Sequence, residues 1–454
     1  MMRAARVLLT LAALAGAGRA ASAQPAPDLD PKVVRLVGQV STDRLAATLQ
    51  KLGSFGTRST MSSVDNPTRG IGAARQWIFD EFKSYSPKLQ VSYDTYVIAK
   101  FERITRDTEA RNVMAVLPGR SPRRIYISGH YDTLAFVREP AGASGASGPR
   151  RVAEPDSPAP GVNDDGSGVA LTMEVARILS QSGLDFDATL VFMCHVAEEE
   201  GLMGARLHAQ KAKEQHLIID AVLNNDIVGN DRSGNGVIDS ESIRVYSEGP
   251  EDSPSREVAR YVQRWGMRYV PSHRVRLMAR GDRYLRAGDH NGYNQFGFAA
   301  VGFRESRENF ARQHDPTDTF DGVSPAYLAQ NARVNLAVAA EIALAPASPV
   351  ILADDGTPRL DRTPSGYDAH LHWKPSPGAV AYRVFWRDAW GPDWQHERLV
   401  GNVDEVVLPD TLIDDLVFGV AAVDAQGHES VVSAYGPRLS SNGGTGEVKT
   451  VPAR

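Results

Sequence analysis

Cysteine is nearly absent. Cys194 stands alone among 454 residues, so the chain cannot close an internal disulfide. Stability must come from a core, with metal ions as the other available staple. Cys194 lies inside the apolar run 189–197, where a single thiol reads as a small core residue rather than a nucleophile. A basic surplus is missing too. There are 50 Lys and Arg against 55 Asp and Glu, and the pI is near 6.1. That excludes the electrostatic footprint of a nucleic-acid binder. Long apolar runs are missing beyond the first residues, so no later segment reads as a membrane span.

The start is the exception. Arg3 and Arg6 precede the apolar stretch 7–15, and Ala21-Ser22-Ala23 precedes Gln24. A basic n-region, a short apolar h-region and an A-x-A site predict a signal peptide over 1–23 and export to the periplasm or the extracellular space. No lipobox cysteine follows. Cleavage removes three arginines and no acids, taking the net charge from −5 to −8.

The rest is globular in composition and too long for one ordinary domain. Residues 24–348 read as an α/β domain that opens on a loosely held arm, 24–40. Helical spacing marks 42–52 (capped by Thr42), 70–85, 169–179, 256–265 and 324–344. Apolar or alternating runs mark strands at 91–99, 110–117, 125–129, 189–197, 218–223, around Val245, 274–278 and 299–303. Strands alternating with helices predict a mostly parallel mixed sheet flanked by helices. Residues 134–160, Gly/Ser/Ala-rich at 141–149, read as a flexible insertion: a lid or rim loop, or an insertion with no role. Residues 349–366 read as a linker. Residues 367–440 alternate without helices and predict a small all-β sandwich. Residues 441–454 are a polar tail.

Functional groups of such sheets sit at the carboxyl ends of strands. There stand His130 and Asp132, the Gly-rich turn with Asp164 and Asp165, then Glu198-Glu199-Glu200, Asp226 and, near the end of the domain, His314. Each alone has an ordinary reading, as a cap or a solvated acid. Three acids ending an apolar strand, however, repel each other unless a cation or solvent relieves them. A histidine ligand needs its second ring nitrogen held, usually by a carboxylate such as Asp132. Two histidines, three carboxylates and a spare glutamate form the inventory that two zinc ions sharing one acid require.

Taken in order, the motifs resemble the M28 family of co-catalytic zinc metallopeptidases over about residues 40–345. They are His-x-Asp-Thr (130–133), Gly-x-Asn-Asp-Asp-Gly-Ser-Gly (161–168), Ala-Glu-Glu-x-Gly-Leu (197–202), Asn-Asp (225–226) and His-x-x-x-Asp-Thr (314–319). The resemblance implies a zinc-exopeptidase fold and two Zn2+. Asp164 bridges them; His130 and Asp226 complete one site, Glu199 and His314 the other. Asp132 orients His130, and Glu198 is the general base that passes a proton from water to the leaving amine. A cis Asp164–Asp165 peptide is implied too. Tyr284, upstream of Asp289-His290, is a candidate oxyanion donor, with plain packing as the competing role.

The implied activity is peptide hydrolysis by an exopeptidase, an aminopeptidase first. A carboxypeptidase, a glutaminyl cyclase-like enzyme or a non-catalytic binding protein are the alternatives; no ligand is missing, which argues against the last. The M20 family spaces its acids alike but inserts a domain before its last histidine. Only 88 residues separate Asp226 from His314, which leaves little room for one. Glu200 and the 134–160 insertion depart from the family pattern and bear on substrate preference. The sandwich resembles a fibronectin type III module through Trp373, the Tyr-x-Val-x-Trp strand at 382–386 and the close at 418–430. Such a module would bind a surface, a polymer or a protein.

Overall fold

The computed structural model describes residues 29–139 and 150–436. The expected signal peptide, the polar tail and residues 140–149 lie outside the described residues. Strands run in the order β1 (Gln90–Ile98), β2 (Thr108–Leu117), β3 (Arg124–His130), β4 (Val137–Glu139), β5 (Arg150–Val152), β6 (Thr189–His195), β7 (Ile219–Asn225), β8 (Ser242–Ser247), β9 (Arg274–Met278) and β10 (Ala300–Glu305). Among the described residues, eight of them form one sheet in the order β1-β2-β6-β3-β7-β10-β8-β9. The centre, β6-β3-β7-β10, is parallel. The β1–β2, β2–β6 and β10–β8 pairs are antiparallel, so the sheet is mixed.

The central strands are buried on both faces, which is why they read as continuous apolar runs. Alternation splits their side chains between two cores. Ile125 and Ile127 of β3 pack with Phe192 and Leu223 on one side. That side is covered by α4 (Gly166–Gln181), α6 (Pro254–Tyr269) and α8 (Pro325–Leu344). Tyr126, Val191 and Val222 face the other side, against Ala205 and Ala209 of α5 (Met203–Glu214) and Tyr293 of α7 (Asp289–Asn294). Each buried Val, Leu, Ile or Phe side chain among them contributes about 1.5–3 kcal/mol by leaving water.

Several expectations are corrected. The described part of the arm, 29–40, is not loose: Pro31–Val37 is a helix, α1, with Asp30 as its cap, and Val33 and Leu36 are buried. Seven residues are too few for a periodic signal. Helix α2 (Thr42–Ser54) is capped by Ser41, not Thr42; the Ser41 hydroxyl accepts from Arg44 N–H. Within the insertion, β4 and β5 pair as an antiparallel ribbon. Just before it, Phe136 N–H donates to the His314 carbonyl at 2.9 Å. Inside the expected linker, Leu360–Asp361 forms a short strand, β11. Helix α3 (Gly70–Tyr85) follows the expected bounds. No helix among the described residues is long and apolar enough to cross a membrane.

After β11 come β12 (Ala369–His372), β13 (Ala381–Asp388), β14 (His396–Val400), β15 (Glu405–Leu408), β16 (Leu416–Val423) and β17 (Ser433–Ala434). They make two small antiparallel sheets, β11-β12-β15 and β14-β13-β16-β17. Trp373, Tyr382, Val384, Phe418 and Val420 share one apolar core between them. The unit rests on α6. Buried Glu429 pairs with Arg264 of α6 and Arg383 of β13, each at 2.7 Å, and Trp394 Nε1 donates to Glu257 at 3.0 Å.

Candidate metal centre

Four parallel strands end on one edge, and the expected residues stand there. His130 closes β3, Glu198 and Glu199 follow β6, Asp226 follows β7, and His314 comes from the loop after β10. Asp164 enters from the turn before α4, through an Asp164–Asp165 peptide that is cis. Gly168 permits this approach: a Cβ there would collide with the Asn225 carbonyl.

The distances are short. His130 Nε2 lies 3.3 Å from Asp164 Oδ1, 3.6 Å from Asp226 Oδ1 and 4.0 Å from Glu198 Oε2. His314 Nε2 lies 3.3 Å from Asp164 Oδ2 and 3.1 Å from Glu199 Oε2. The two oxygens of Asp164 thus face two different histidines. Yet His130 Nε2, Asp164 Oδ2, Glu199 Oε1 and Asp226 Oδ1 are buried with no hydrogen-bond partner among the described residues. Orphaned donors and acceptors of this kind are costly unless something satisfies them. Two ligands of a tetrahedral zinc at about 2.1 Å stand about 3.3 Å apart, so the donor set fits that ion.

A second layer holds the first. Asp132 accepts from the N–H groups of Glu198 and Glu199, each at 3.2 Å, and its Oδ1 lies 3.6 Å from His130 Nδ1. Its main-chain carbonyl, 3.2 Å from His130 Nδ1, holds that ring, while its carboxylate holds the backbone of both glutamates. Asp165 accepts from His130 N–H, Gly168 N–H and Ile227 N–H, tying β3, α4 and the end of β7. Buried Arg304 pairs with Asp226 Oδ2 and, at 2.8 Å, with Asp282. Asp318 accepts from Asn163 N–H and Asp164 N–H, the latter at 2.9 Å. Arg58 is fully buried and donates to four carbonyls, those of Tyr131, Leu52, Pro160 and Gly161.

Proton affinities diverge sharply within the cluster. Burial alone would raise Asp164, but His130 and His314 more than offset it and hold its carboxyl well below the usual range. Burial, with Asp226 and Glu199 nearby, pushes Glu198 well above it. Glu199 raises His314 to about 11. Burial pushes Asp318 to about 7 and Asp289 to about 8. Carboxyls forced apart like this mark a functional site.

Tyr284 is not part of this assembly. Its side chain is 76% exposed and makes no hydrogen bond among the described residues. Glu200, the departure noted above, is buried and accepts from the Thr60 hydroxyl at 2.7 Å. Sequence reasoning missed Arg304, Arg58 and the cap-like role of Asp318. Asp289 stands out only in the structure, where both of its oxygens are buried with no hydrogen-bond partner among the described residues. The signal available for Arg304 was a charge at the end of an otherwise apolar strand.

Residues 112–339 match the profile described as peptidase family M28. A probable zinc metalloprotease of Pyricularia oryzae is 35% identical over 454 aligned residues, covering 91% of this chain and 85% of its own length.

The chain belongs to peptidase family M28.

It is a zinc metalloprotease, a hydrolase acting on peptide substrates. Another relative, a probable zinc metalloprotease of Pyrenophora tritici-repentis, is 33% identical over 438 residues, with 88% of this chain and 86% of that one covered. In fold, this M28 chain is similar to the LapA aminopeptidase of Legionella pneumophila. The TM-score is 0.53 at 20% identity, with 71% of this chain and 77% of that one covered. An aminopeptidase from Aneurinibacillus sp. strain AM-1 gives 0.50 at 16% identity, over 68% and 96%.

Proposed function

We propose that this M28 enzyme is an exported di-zinc exopeptidase, an aminopeptidase that removes residues from the N-terminus of peptides. The observation that carries the two-ion reading is Asp164, whose oxygens each lie 3.3 Å from a different histidine. His130 and Asp226 would hold one ion, Glu199 and His314 the other, with Asp164 shared. When bound, the pair supplies Lewis-acid charge that makes water more acidic and polarises the scissile carbonyl.

The chain's own groups do the rest. Glu198 is nearly buried, 11% exposed, and faces His130 without serving as a bracing carboxylate. Its raised proton affinity suits a group that takes a proton from water and returns it to the leaving amine. Asp132 presents Nε2 of His130 to the centre by engaging its Nδ1 side. The likeness in fold to the LapA aminopeptidase of Legionella pneumophila supports an aminopeptidase over a carboxypeptidase. The basic and apolar start at 1–23 supports export, and the strand orders β11-β12-β15 and β14-β13-β16-β17 support a fibronectin type III-like module.

The test is a set of aminoacyl chromogenic substrates beside their N-acetylated forms, with and without chelator. Cleavage confined to free amines, lost on chelation and restored by zinc, is expected. Equal cleavage of blocked substrates would end the aminopeptidase reading.

A further inference from the structure

The outer face of β12 carries two histidines. His370 and His372 are two residues apart and share that face, while Ala369 and Leu371 point inward to the sandwich core. Their ring centroids are 3.8 Å apart. A carboxylate flanks them on each side: Asp361 of β11 is in register with His370, and Glu405 of β15 with His372. Asp361 Oδ1 lies 3.6 Å from His370 Nδ1, and its Oδ2 3.4 Å from His372 Nε2. Glu405 Oε2 lies 3.4 Å from His370 Nε2 and 3.3 Å from His372 Nδ1. One ligand atom from each of Asp361, His370 and His372 falls within 4.8 Å of the others.

Surface histidines beside acids are common as plain ion pairs. Two details argue for more. His370 Nε2 is buried and lacks a hydrogen-bond partner among the described residues, while the Thr363 hydroxyl holds Nδ1 at 2.8 Å. That is how a ligating imidazole is oriented: one nitrogen held, the other free. The separations on the Glu405 side, 3.4 Å to His370 Nε2 and 3.3 Å to His372 Nδ1, also match the roughly 3.3 Å between two ligands of one tetrahedral zinc, while Asp361 faces the opposite nitrogen of each ring.

We propose that His370, His372 and Glu405 hold a further zinc ion, structural rather than catalytic, with Asp361 bracing the far nitrogens of the two rings, so that β11, β12 and β15 are clamped. Strand β11 pairs through only two residues, too few to hold by backbone bonds alone. The ion joins β12 to β15, and Asp361 ties β11 to the same two rings from behind. With Glu405 60% and Asp361 47% exposed, the site exchanges with solvent and binds more weakly than the buried centre. Imidazole selects zinc, nickel or copper over magnesium or calcium.

The experiment dialyses the full-length enzyme and H370A/H372A against zinc and counts metal per chain by mass spectrometry, with kcat/KM measured on the same samples. The double variant should carry one zinc fewer at unchanged kcat/KM, and zinc should raise the Tm of the wild type more than that of the variant. D361N/E405Q, which keeps both rings, should show the same deficit. Equal zinc content in all three proteins would overturn the proposal, whatever the number held at the catalytic centre.

Discussion

At the carboxyl edge of the α/β sheet, several of the histidines and acids are braced from behind by buried partners; on the sandwich, the Thr363 hydroxyl holds His370 and the strand holds His372. His130 has Asp132 at its back, Asp226 has Arg304, and Asp164 hangs from Asp318 through its own N–H. These residues are buried, so each charge must be matched. The sandwich cluster is open to water, where an unmatched charge costs little. The same ligand chemistry therefore has two uses. Buried and braced, it can hold ions at a fixed spacing for catalysis; exposed, it can only add stability.

The comparison breaks most visibly at the shared acid. D164N should lose zinc from both positions and lower kcat/KM by at least about a thousandfold, as when preorganised charge is removed from a reacting centre; metal analysis beside activity checks it. E198Q comes next. It should keep both ions and lower kcat by about 10²–10⁴-fold, the usual size of a general-base contribution. Unchanged kcat would remove Glu198 from that role. R304K should fold, because it leaves a cation between Asp226 and Asp282, and should weaken zinc affinity by about 10–100-fold. A zinc titration with a competing chelator measures it, and wild-type affinity would show that the brace has no effect on the ion.

A smaller effect concerns the seam between the two units. His428 of the sandwich hydrogen-bonds Asp424 at 2.8 Å and Asp30, the cap of α1, at 3.1 Å. Burial lowers its pKa, but those carboxylates and Glu341 prevail and raise it to about 9. A folded-state pKa above the unfolded one stabilises most below about pH 6.5, and that share is lost as pH rises through 9. After allowance for solvent screening it amounts to about 1–2 kcal/mol. H428N should flatten the pH dependence of Tm between 6.5 and 9. The smallest effect is expected for H370A/H372A, which should leave kcat/KM within about twofold of wild type, inside the range of surface changes.

How much of this was legible in the sequence follows from the range of each interaction. The central strands announce themselves because both of their faces are buried, and their apolar runs are local facts. Four of the five expected ligands were legible because each lies at or just past the end of a strand or opens a helix, where a polar residue interrupts an apolar pattern; His314, in the loop after β10, was legible only through its motif. Arg304 reaches Asp226 across 78 residues, and Asp318 reaches Asp164 across 154. Such pairs leave no periodicity to read. Helix α1 is too short to show one, and Ser41 and Thr42 are both good caps, so only the backbone decides between them. The place of Tyr284 in the chain does not tell which way its loop side chain turns, and it turns to solvent.

One measurement bears most directly on the central claim: anomalous scattering at the zinc edge from crystals of the zinc-loaded enzyme. Two peaks at this edge of the sheet are expected, one beside His130 and Asp226 and one beside His314 and Glu199, with Asp164 between them. A single peak there, or none within a coordination shell of His314, would contradict the account.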